Sequence, residues 1–349
     1  MSKAIVLFSG GLDSLLTVRV LQQQEIEVVG LHIVTPFHDV SEHAALRAGQ
    51  LGIKFVLRRT DDNYLKMIAA PRFGYGKALN PCIDCRIEMC RFAKQLLEEE
   101  GADFVATGEI AGQRPNSQKQ HQLALIARES GLGGKLLRPL SAKVLAPTTP
   151  ENEGLIDRKQ LCAFTGRGRI QLFSLARKLD VGKIPQPSTG CLLCEKSFAP
   201  RLEDLFKYCN DPTGWDIEVL GGGRQIRISP TIKCAMGRNE ANCLHLQRLF
   251  DHPDAKPSII VIPENFNGPT TLFVGAKPED HSPEEFEKIL DLAGALTLRF
   301  TNPNKYDPDN TVALVRYGKE KVLRKIRPDP AVEQYAVLKE MDSDHKRVG

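Results

Sequence analysis

In the stretch KAIVLFSGGLDSLL, residues 3–16, an apolar run leads straight into Ser9-Gly10-Gly11 and then into a second apolar segment. An unbroken apolar run suits a strand buried on both faces, and positions 12–24 carry apolar residues at helical spacing. A strand, a glycine turn and a helix start, in that order, make an anion site. Backbone N–H groups face the ligand, the helix dipole favours negative charge, and glycine lets a phosphate come close. Ser9 and Ser14 add hydroxyl donors. No Gly-Lys-Ser/Thr follows, so the Walker pattern with its γ-phosphate lysine is absent. The plainer alternative is a capped turn with Asp13 as a charge in the first helical turn.

The segments after this turn set the fold class. EVVGLHIV (27–34), KFVL (54–57), DFVATG (103–108) and HQLALIA (121–127) read as strands. Helical patterns fall at 42–51, 62–69, 84–100, 158–164 and 169–179. Strands alternating with helices imply βαβ units and a parallel sheet. The expected division is an α/β domain over 1–179, a linker with a cysteine pair over 180–214, an α+β domain over 215–335, and a frayed tail over 336–349. In the second domain, strands are expected at 216–220, 225–228, 258–263, 270–274, 296–300 and 311–317, with helices near 239–250 and 283–293. A chain of 349 residues is long enough for two or three such domains.

Composition narrows the function class. Hydrophobic residues make up 42% and charged residues 26%, as in soluble globular proteins. No apolar stretch reaches 18 residues, so no membrane span is expected, and the first residues lack a signal-peptide pattern. The expected location is the cytoplasm. A net charge of +4 confines any nucleic-acid surface to a local patch. In a reducing compartment, nine cysteines point to metal or redox chemistry over structural disulfides.

SGGLDS (9–14) resembles the PP-loop of the ATP pyrophosphatases, which hold the pyrophosphate of ATP and cleave between its α and β phosphates. ATGEIAGQRPNSQ (106–118) resembles the corresponding segment of the tRNA 4-thiouridine synthases. GYGKALNPCIDCR (74–86) and PSTGCLLC (187–194) resemble the cysteine segments of PP-loop tRNA thiolases that use an iron–sulfur cluster. The likeness covers roughly the first 200 residues. It implies an adenine nucleotide alpha hydrolase-like fold, with ATP and Mg²⁺ as cofactors. It places Ser9, Gly10, Gly11, Asp13, Ser14, Gly108, Gln113 and Ser117 at the nucleotide. Arg114 and Gln118 are further contacts by the same likeness, Arg114 being also a candidate RNA contact, and Lys77 stands beside the cysteine loop, where it faces an anion or the tRNA or is a plain surface lysine. The pattern departs from the 4-thiouridine synthases in showing no THUMP-like region before the loop and no rhodanese-like domain after it. The tRNA is then gripped elsewhere, and sulfur arrives by another route, from sulfide or a cysteine desulfurase.

Cys82 and Cys85 follow Asn80-Pro81 and are expected at a helix start, where the dipole lowers a thiol pKa. Cys191 and Cys194 form a second C-x-x-C far along the chain. Two such pairs suit a Cys₄ zinc site, though compact zinc ribbons keep their pairs close. The resemblance implies instead that Cys82, Cys85 and Cys191 hold a [4Fe–4S] cluster with one iron open for sulfur, Cys194 being extra. Persulfide or disulfide chemistry without metal is the third possibility. The remaining cysteines suit core positions.

CAMGRNEANCLHLQRLF (234–250) resembles the opening of the RNA-binding domain of NFACT-type proteins, and PTTLFVG (269–275) is compatible with it. VRYGKEKVLRKIRP (315–328) reads as a hairpin rich in Lys and Arg, with Glu320 its one acid. Lys321, Arg324 and Lys325 are the candidate RNA contacts; an edge strand guarded by lysines is the plainer role. Together these readings describe an ATP-dependent tRNA sulfurtransferase, AMP-forming, that makes 4-thiouridine. A 2-thiouridine product is the near alternative. An amidating ligase acting on a small carboxylate and a nucleotide-regulated RNA-binding factor are the rivals.

Overall fold

The computed structural model describes residues 2–182 and 190–338. The chain forms two compact units divided between Cys194 and Glu195. The first is built on β1 (Lys3–Leu7), α1 (Leu12–Gln22), β2 (Glu27–Val34), α2 (Ser41–Leu51), β3 (Lys54–Arg59), α3 (Asp62–Ala69), α4 (Cys82–Glu100), β4 (Phe104–Thr107), α5 (Gln120–Glu129), β5 (Leu136–Leu137), α6 (Thr149–Asn152) and α7 (Ile170–Lys178).

The five strands form one parallel sheet in the order β3-β2-β1-β4-β5. Alternate residues of β1 feed opposite cores. Ala4 and Val6 pack with Leu15, Leu16 and Phe104, whereas Ile5 packs with Val29, Ile87 and Leu96. This two-sided burial is why the first strand reads as a continuous apolar run. Each fully buried Leu, Ile or Phe there stabilises the unit by about 1.5–3 kcal/mol. The chain moves one way from β1 through β2 to β3, then returns to the other side of β1 for β4 and β5. The strand order therefore reverses between β1 and β4. At such a reversal the loops leaving neighbouring strands diverge, and a crevice opens beyond their carboxyl ends.

The second unit holds α8 (Ala199–Tyr208), α9 (Gly214–Gly221), β6 (Arg224–Arg227), β7 (Lys233–Met236), α10 (Glu240–Phe250), β8 (Ser258–Pro263), β9 (Thr271–Val274), α11 (Pro283–Arg299), β10 (Val312–Tyr317) and β11 (Glu320–Lys325). Its six strands are antiparallel, ordered β11-β10-β8-β9-β7-β6. One face packs Cys234, Ile259 and Phe273 against Phe286, Leu290 and Leu296 of α11. The other packs Ala235, Ile260 and Leu272 against Trp215, Leu246 and Leu249 of α9 and α10. An α/β unit with a parallel sheet and an α+β unit thus follow one another. Among the described residues, no helix is long and apolar enough to cross a membrane.

Several expected elements differ. Residues 121–127 lie in helix α5, because Leu123 and Ile126 are the buried positions and their spacing is helical. Residues 216–220 belong to α9, whose start is set by the Asp216 carboxylate accepting from the Thr213 backbone N–H at 2.8 Å. Residues 296–299 finish α11, which is buried nearly all round near its end and so shows no polar stripe. The helix expected over 158–164 shrinks to a single turn at Arg158–Gln160. The segment read as a linker contains α8. Of the frayed tail, Leu338 donates its N–H to the Gln225 carbonyl at 2.8 Å. Residues 339–349, and residues 183–189 ahead of the second cysteine pair, lie outside the described residues.

Candidate active site

The turn after β1 is built tightly. The Ser14 hydroxyl donates to the Gly11 carbonyl at 2.9 Å, and Gly11 N–H donates to Ser9 Oγ at 3.4 Å. Gly10 has φ +71°, and a Cβ there would lie 3.0 Å from the Ala44 backbone, so no other residue fits without strain. The end of β4 closes on this turn from the other side. A Cβ on Gly108 would lie 2.7 Å from the Asp13 carbonyl carbon and 3.0 Å from Ser14 N. The helix N-terminus and the end of β4 are thus in backbone contact. The Gln113 side chain spans the same gap, its Nε2 donating to Asp13 Oδ2 at 3.3 Å.

Glu109 follows Gly108 and is fully enclosed. Its Oε2 accepts from Arg138 Nε at 3.2 Å and Thr107 Oγ1 at 3.1 Å, while Arg86 Nε stands 3.6 Å from Oε1. Burial pushes this carboxyl up, but the two guanidiniums and the hydrogen bonds win and hold it below the usual carboxylate range. Asp13 goes the other way. Burial raises its pKa, against the smaller opposing pull of Gln113, Arg169 and Arg114.

Helix α4 brings the first cysteine pair to the same place. The Asp84 carboxylate accepts from the N–H groups of Arg72 and Phe73 at 3.0 and 3.1 Å, folding the Gly/Pro-rich loop onto the helix start. Cys82 Sγ donates to Asn80 Oδ1 at 2.8 Å, and Asn80 Nδ2 donates to Cys194 Sγ. The Tyr64 hydroxyl of α3 hydrogen-bonds Cys85 Sγ at 3.2 Å. The expected lowering of these thiols by the helix dipole is overturned. Burial, the largest influence, raises Cys82 and Cys85, and it raises Cys191 to about 12. Arg86 and Arg114 offset only part of this at Cys82.

These pieces line one cavity of about 250 Å³ beyond the carboxyl ends of β1, β2 and β4. Ser9, Asp13 and Ser14 enter from the glycine turn, and Gly108, Gln113, Arg114, Ser117 and Gln118 from the end of β4 and the loop after it. Cys82, Cys85 and Cys191 form the thiol wall. Gly10 and Gly11 shape the turn without lining the cavity. Cys194 does not line the cavity but lies close enough to Cys82 and Cys191 to act on both electrostatically, and Lys77 is exposed and off the cavity wall. A second concavity, around Lys143, Glu151 and Lys159, holds none of the motif residues. Lys321, Arg324 and Lys325 lie on β11 in the second unit. Lys321 and Lys325 are exposed, but Arg324 is paired with Glu287 and Asp291 at 2.7 and 2.6 Å.

Tyr64, Asn80, Arg86, Glu109, His32 and His38 also line the cavity, and sequence reasoning misses them as site residues. Three of them carry a signal, Glu109 standing in the segment 106–118 and Asn80 and Arg86 in the segment 74–86. His32 Nδ1 lies 2.9 Å from the Phe8 carbonyl, and its Nε2 is buried without a hydrogen-bond partner among the described residues. Leu7, Leu31, Ile33 and Met89 form an apolar side.

Of the two carboxylates on the cavity wall, Glu109 is neutralised by Arg138 and Arg86, whereas Asp13 accepts from the Gln113 amide and forms no ion pair among the described residues. The three thiols are the donor type that iron–sulfur clusters use. Among the described residues, no group of three or more His, Cys, Asp or Glu side chains is already arranged to hold a metal ion.

Comparison with known proteins finds likenesses to the α/β unit that holds this crevice and its thiol wall. Residues 2–130 match the model of the family described as the tRNA methyl transferase HUP domain. The chain is 34% identical over 122 residues to the tRNA-specific 2-thiouridylase MnmA of Sulfurimonas denitrificans, covering 31% of this chain and 35% of that one. It is 29% identical over 232 residues to the protein of that name from Flavobacterium johnsoniae, covering 55% and 56%. The chain spans about a third of the length of the first curated relatives it matches. A crystal structure titled a 4-thiouridine synthetase–RNA complex with bound ATP aligns with a TM-score of 0.32 at 21% identity, covering 52% of each chain.

Proposed function

We propose that this chain is an ATP-dependent tRNA sulfurtransferase that converts a uridine to a thiouridine. One observation carries the reading: the glycine turn of a nucleotide site and three thiols open into the same cavity. Activation and sulfur delivery can then act on one base. The names of the curated relatives support tRNA as the substrate.

The chemistry follows from the uracil carbonyl. Its oxygen is a poor leaving group, so it first attacks the α-phosphate of ATP. The bond to pyrophosphate breaks and the oxygen becomes adenylated. A sulfur nucleophile then adds to the ring carbon, and AMP leaves with that oxygen. Ser9, Ser14 and the backbone of the glycine turn hold the departing pyrophosphate. Asp13 orients Mg²⁺, which spreads the developing phosphate charge. Arg114, Gln113 and Ser117 face the nucleotide. Cys82, Cys85 and Cys191 handle the sulfur. With thiol pKa values raised in the free protein, deprotonation accompanies attachment of metal or sulfur.

Cys82, Cys85 and Cys191 would hold a [4Fe–4S] cluster, which when bound supplies an open iron for sulfide. Persulfide chemistry on the same thiols and a zinc site are the other uses of this donor set. The sulfur donor is sulfide or a cysteine desulfurase, and the second unit grips the tRNA from a cytoplasmic location. The segment 106–118 favours 4-thiouridine, and the names of the relatives favour 2-thiouridine.

The test is tRNA-dependent release of pyrophosphate from ATP, followed by mass analysis of the tRNA nucleosides. An amidating ligase releases pyrophosphate with a small carboxylate and no tRNA, and an RNA-binding factor releases none. Either result overturns the reading. Separation of 4-thiouridine from 2-thiouridine in the same digest assigns the product.

A further inference from the structure

Three arginines of the second unit take no part in the reaction above. Arg201 lies in α8, Arg224 opens β6, and Arg238 stands between β7 and α10. Strand pairing explains their grouping. Arg224 is opposite Met236 in the β6–β7 ladder, so Gly237 and Arg238 leave the sheet beside the glycines at 221–223. The backbones there are closely packed. A Cβ on Gly223, at φ +112°, would lie 2.1 Å from the Met236 carbonyl oxygen, and one on Gly237 would lie 2.5 Å from Cys243 Sγ. Arg201 Nη1 donates to the Leu220 carbonyl at 2.9 Å, which fixes that side chain to the same turn.

Among the described residues these cations are not paired with a counter-charge. None of the three forms an ion pair among the described residues, whereas Arg227, on the same strand as Arg224, is held by both oxygens of Asp204 at 3.0 and 2.6 Å. Arg201 Nε is buried with no hydrogen-bond partner among the described residues. The Arg224 guanidinium lies 4.9 Å from the centre of the Phe300 ring. Burial and then the charge of Arg238 push both Arg201 and Arg224 below the usual arginine range. The adjacent acid in sequence, Glu240, is exposed and pairs with none of them. Like charges gathered without an anion raise the free energy of the folded unit, and an anion binding among them lowers it.

We propose that Arg201, Arg224 and Arg238 form a binding site for a backbone phosphate of the tRNA, an inference that rests on the tRNA reading above. Guanidinium suits this role because its fork of N–H donors matches two phosphate oxygens. Arg238 is exposed, so the group opens towards a polymer backbone instead of enclosing a small anion. Exposed Lys321 and Lys325 on β11 give the same unit a second set of cations for the strand to follow.

The experiment measures tRNA affinity of the full-length chain across a roughly sixfold range of salt concentration. Arg238→Gln is expected to weaken binding about three- to thirtyfold and to reduce the log–log salt slope by about 0.7–0.9, the share of a single neutralised phosphate. Arg238→Lys is expected to keep the slope and lose part of the affinity. Thermal midpoints at or above the wild-type value in both variants exclude a merely structural effect. A wild-type affinity and slope in Arg238→Gln would overturn the site and leave the proposed reaction standing. Absence of salt-dependent tRNA binding by the wild-type chain would overturn the tRNA reading and the site together. Inorganic phosphate serves as the competing probe at constant ionic strength. Millimolar phosphate binding abolished in Arg238→Gln, with tRNA binding unaffected, would replace the tRNA backbone by a free anion.

Discussion

Gln113 donates its side-chain amide to Asp13 across 3.3 Å, joining the turn after β1 to the loop after β4 over a separation of one hundred residues. The contact lowers a carboxyl pKa that burial raises. Asp13→Ala is expected to cut tRNA-dependent pyrophosphate release by about a hundredfold or more while leaving the thermal midpoint within a few degrees. Gln113→Ala removes a lowering influence, so the Asp13 pKa rises further. The acidic limb of the rate profile is then expected to move to higher pH. A pH–rate profile of the two proteins checks the sign, and an unmoved limb would separate Asp13 ionisation from the rate.

Glu109 gives a stability prediction. Replacing it by Gln leaves Arg138 and Arg86 facing each other with no carboxylate, a change expected to cost about 3–5 kcal/mol. Its folded pKa lies below the unfolded value of about 4.3. The stabilisation is therefore fully present above that unfolded value and disappears as pH falls through the folded one. Urea denaturation of wild type and Glu109→Gln at neutral pH and in acid, about one unit below the unfolded value, is expected to show a large gap that narrows in acid. A gap that is constant with pH would rule out ionisation as its source.

Gly108→Ala tests the contact between the end of β4 and the helix start. The new methyl would lie 2.7 Å from the Asp13 backbone, and neither partner is a flexible side chain. Relief requires a backbone shift, with a stability loss of about 1–3 kcal/mol. The KM for ATP is expected to rise tenfold or more. Gly168→Ala, with open space around it, is the control and is expected to be neutral.

The parts of this site legible in the sequence are those coded locally. The turn at 9–14 is visible because a strand, a glycine turn and a helix start are contiguous. The cysteines are visible because their chemistry is rare. The contacts of Tyr64 and Asn80 are not, since nothing local says that one reaches Cys85 and the other bridges Cys82 and Cys194. The helix at 120–129 reads as a strand because a short apolar run fits either period. The end of α11 misleads for the opposite reason: burial on all sides removes the polar stripe that marks a surface helix.

The cysteines separate by position. Cys82, Cys85 and Cys191 line the cavity, and Cys194 accepts from Asn80 outside the cavity lining. Alanine at any of the first three is expected to abolish thiolation, and alanine at Cys194 to retain most of it. Iron, sulfide and zinc assays on anaerobically purified variants accompany the activity. Stoichiometric zinc without iron in the wild type would remove the cluster. Metal loss on Cys194→Ala, with Cys191 dispensable, would reassign the third ligand.

On β11, Arg324 is committed to Glu287 and Asp291, whereas Lys321 and Lys325 are exposed. Neutralising both lysines is expected to weaken tRNA binding and lower the salt slope by about 0.7–0.9 for every phosphate they neutralise in the wild type. Arg324→Gln is expected to change the slope less. Equal slopes in all variants would leave the hairpin as a guarded edge strand.

The apolar side of the cavity, formed by Leu7, Leu31, Ile33 and Met89, bears on the yield of the proposed reaction. The adenylated uracil of the proposed reaction is an electrophile that abundant water can attack in place of sulfur, and each such loss regenerates the original base at the expense of one nucleotide. Hydrocarbon beside the activated ring leaves water few places to stand. In the proposed reaction, the sheet that shapes the crevice would thereby also set how many ATP molecules are spent for each sulfur installed.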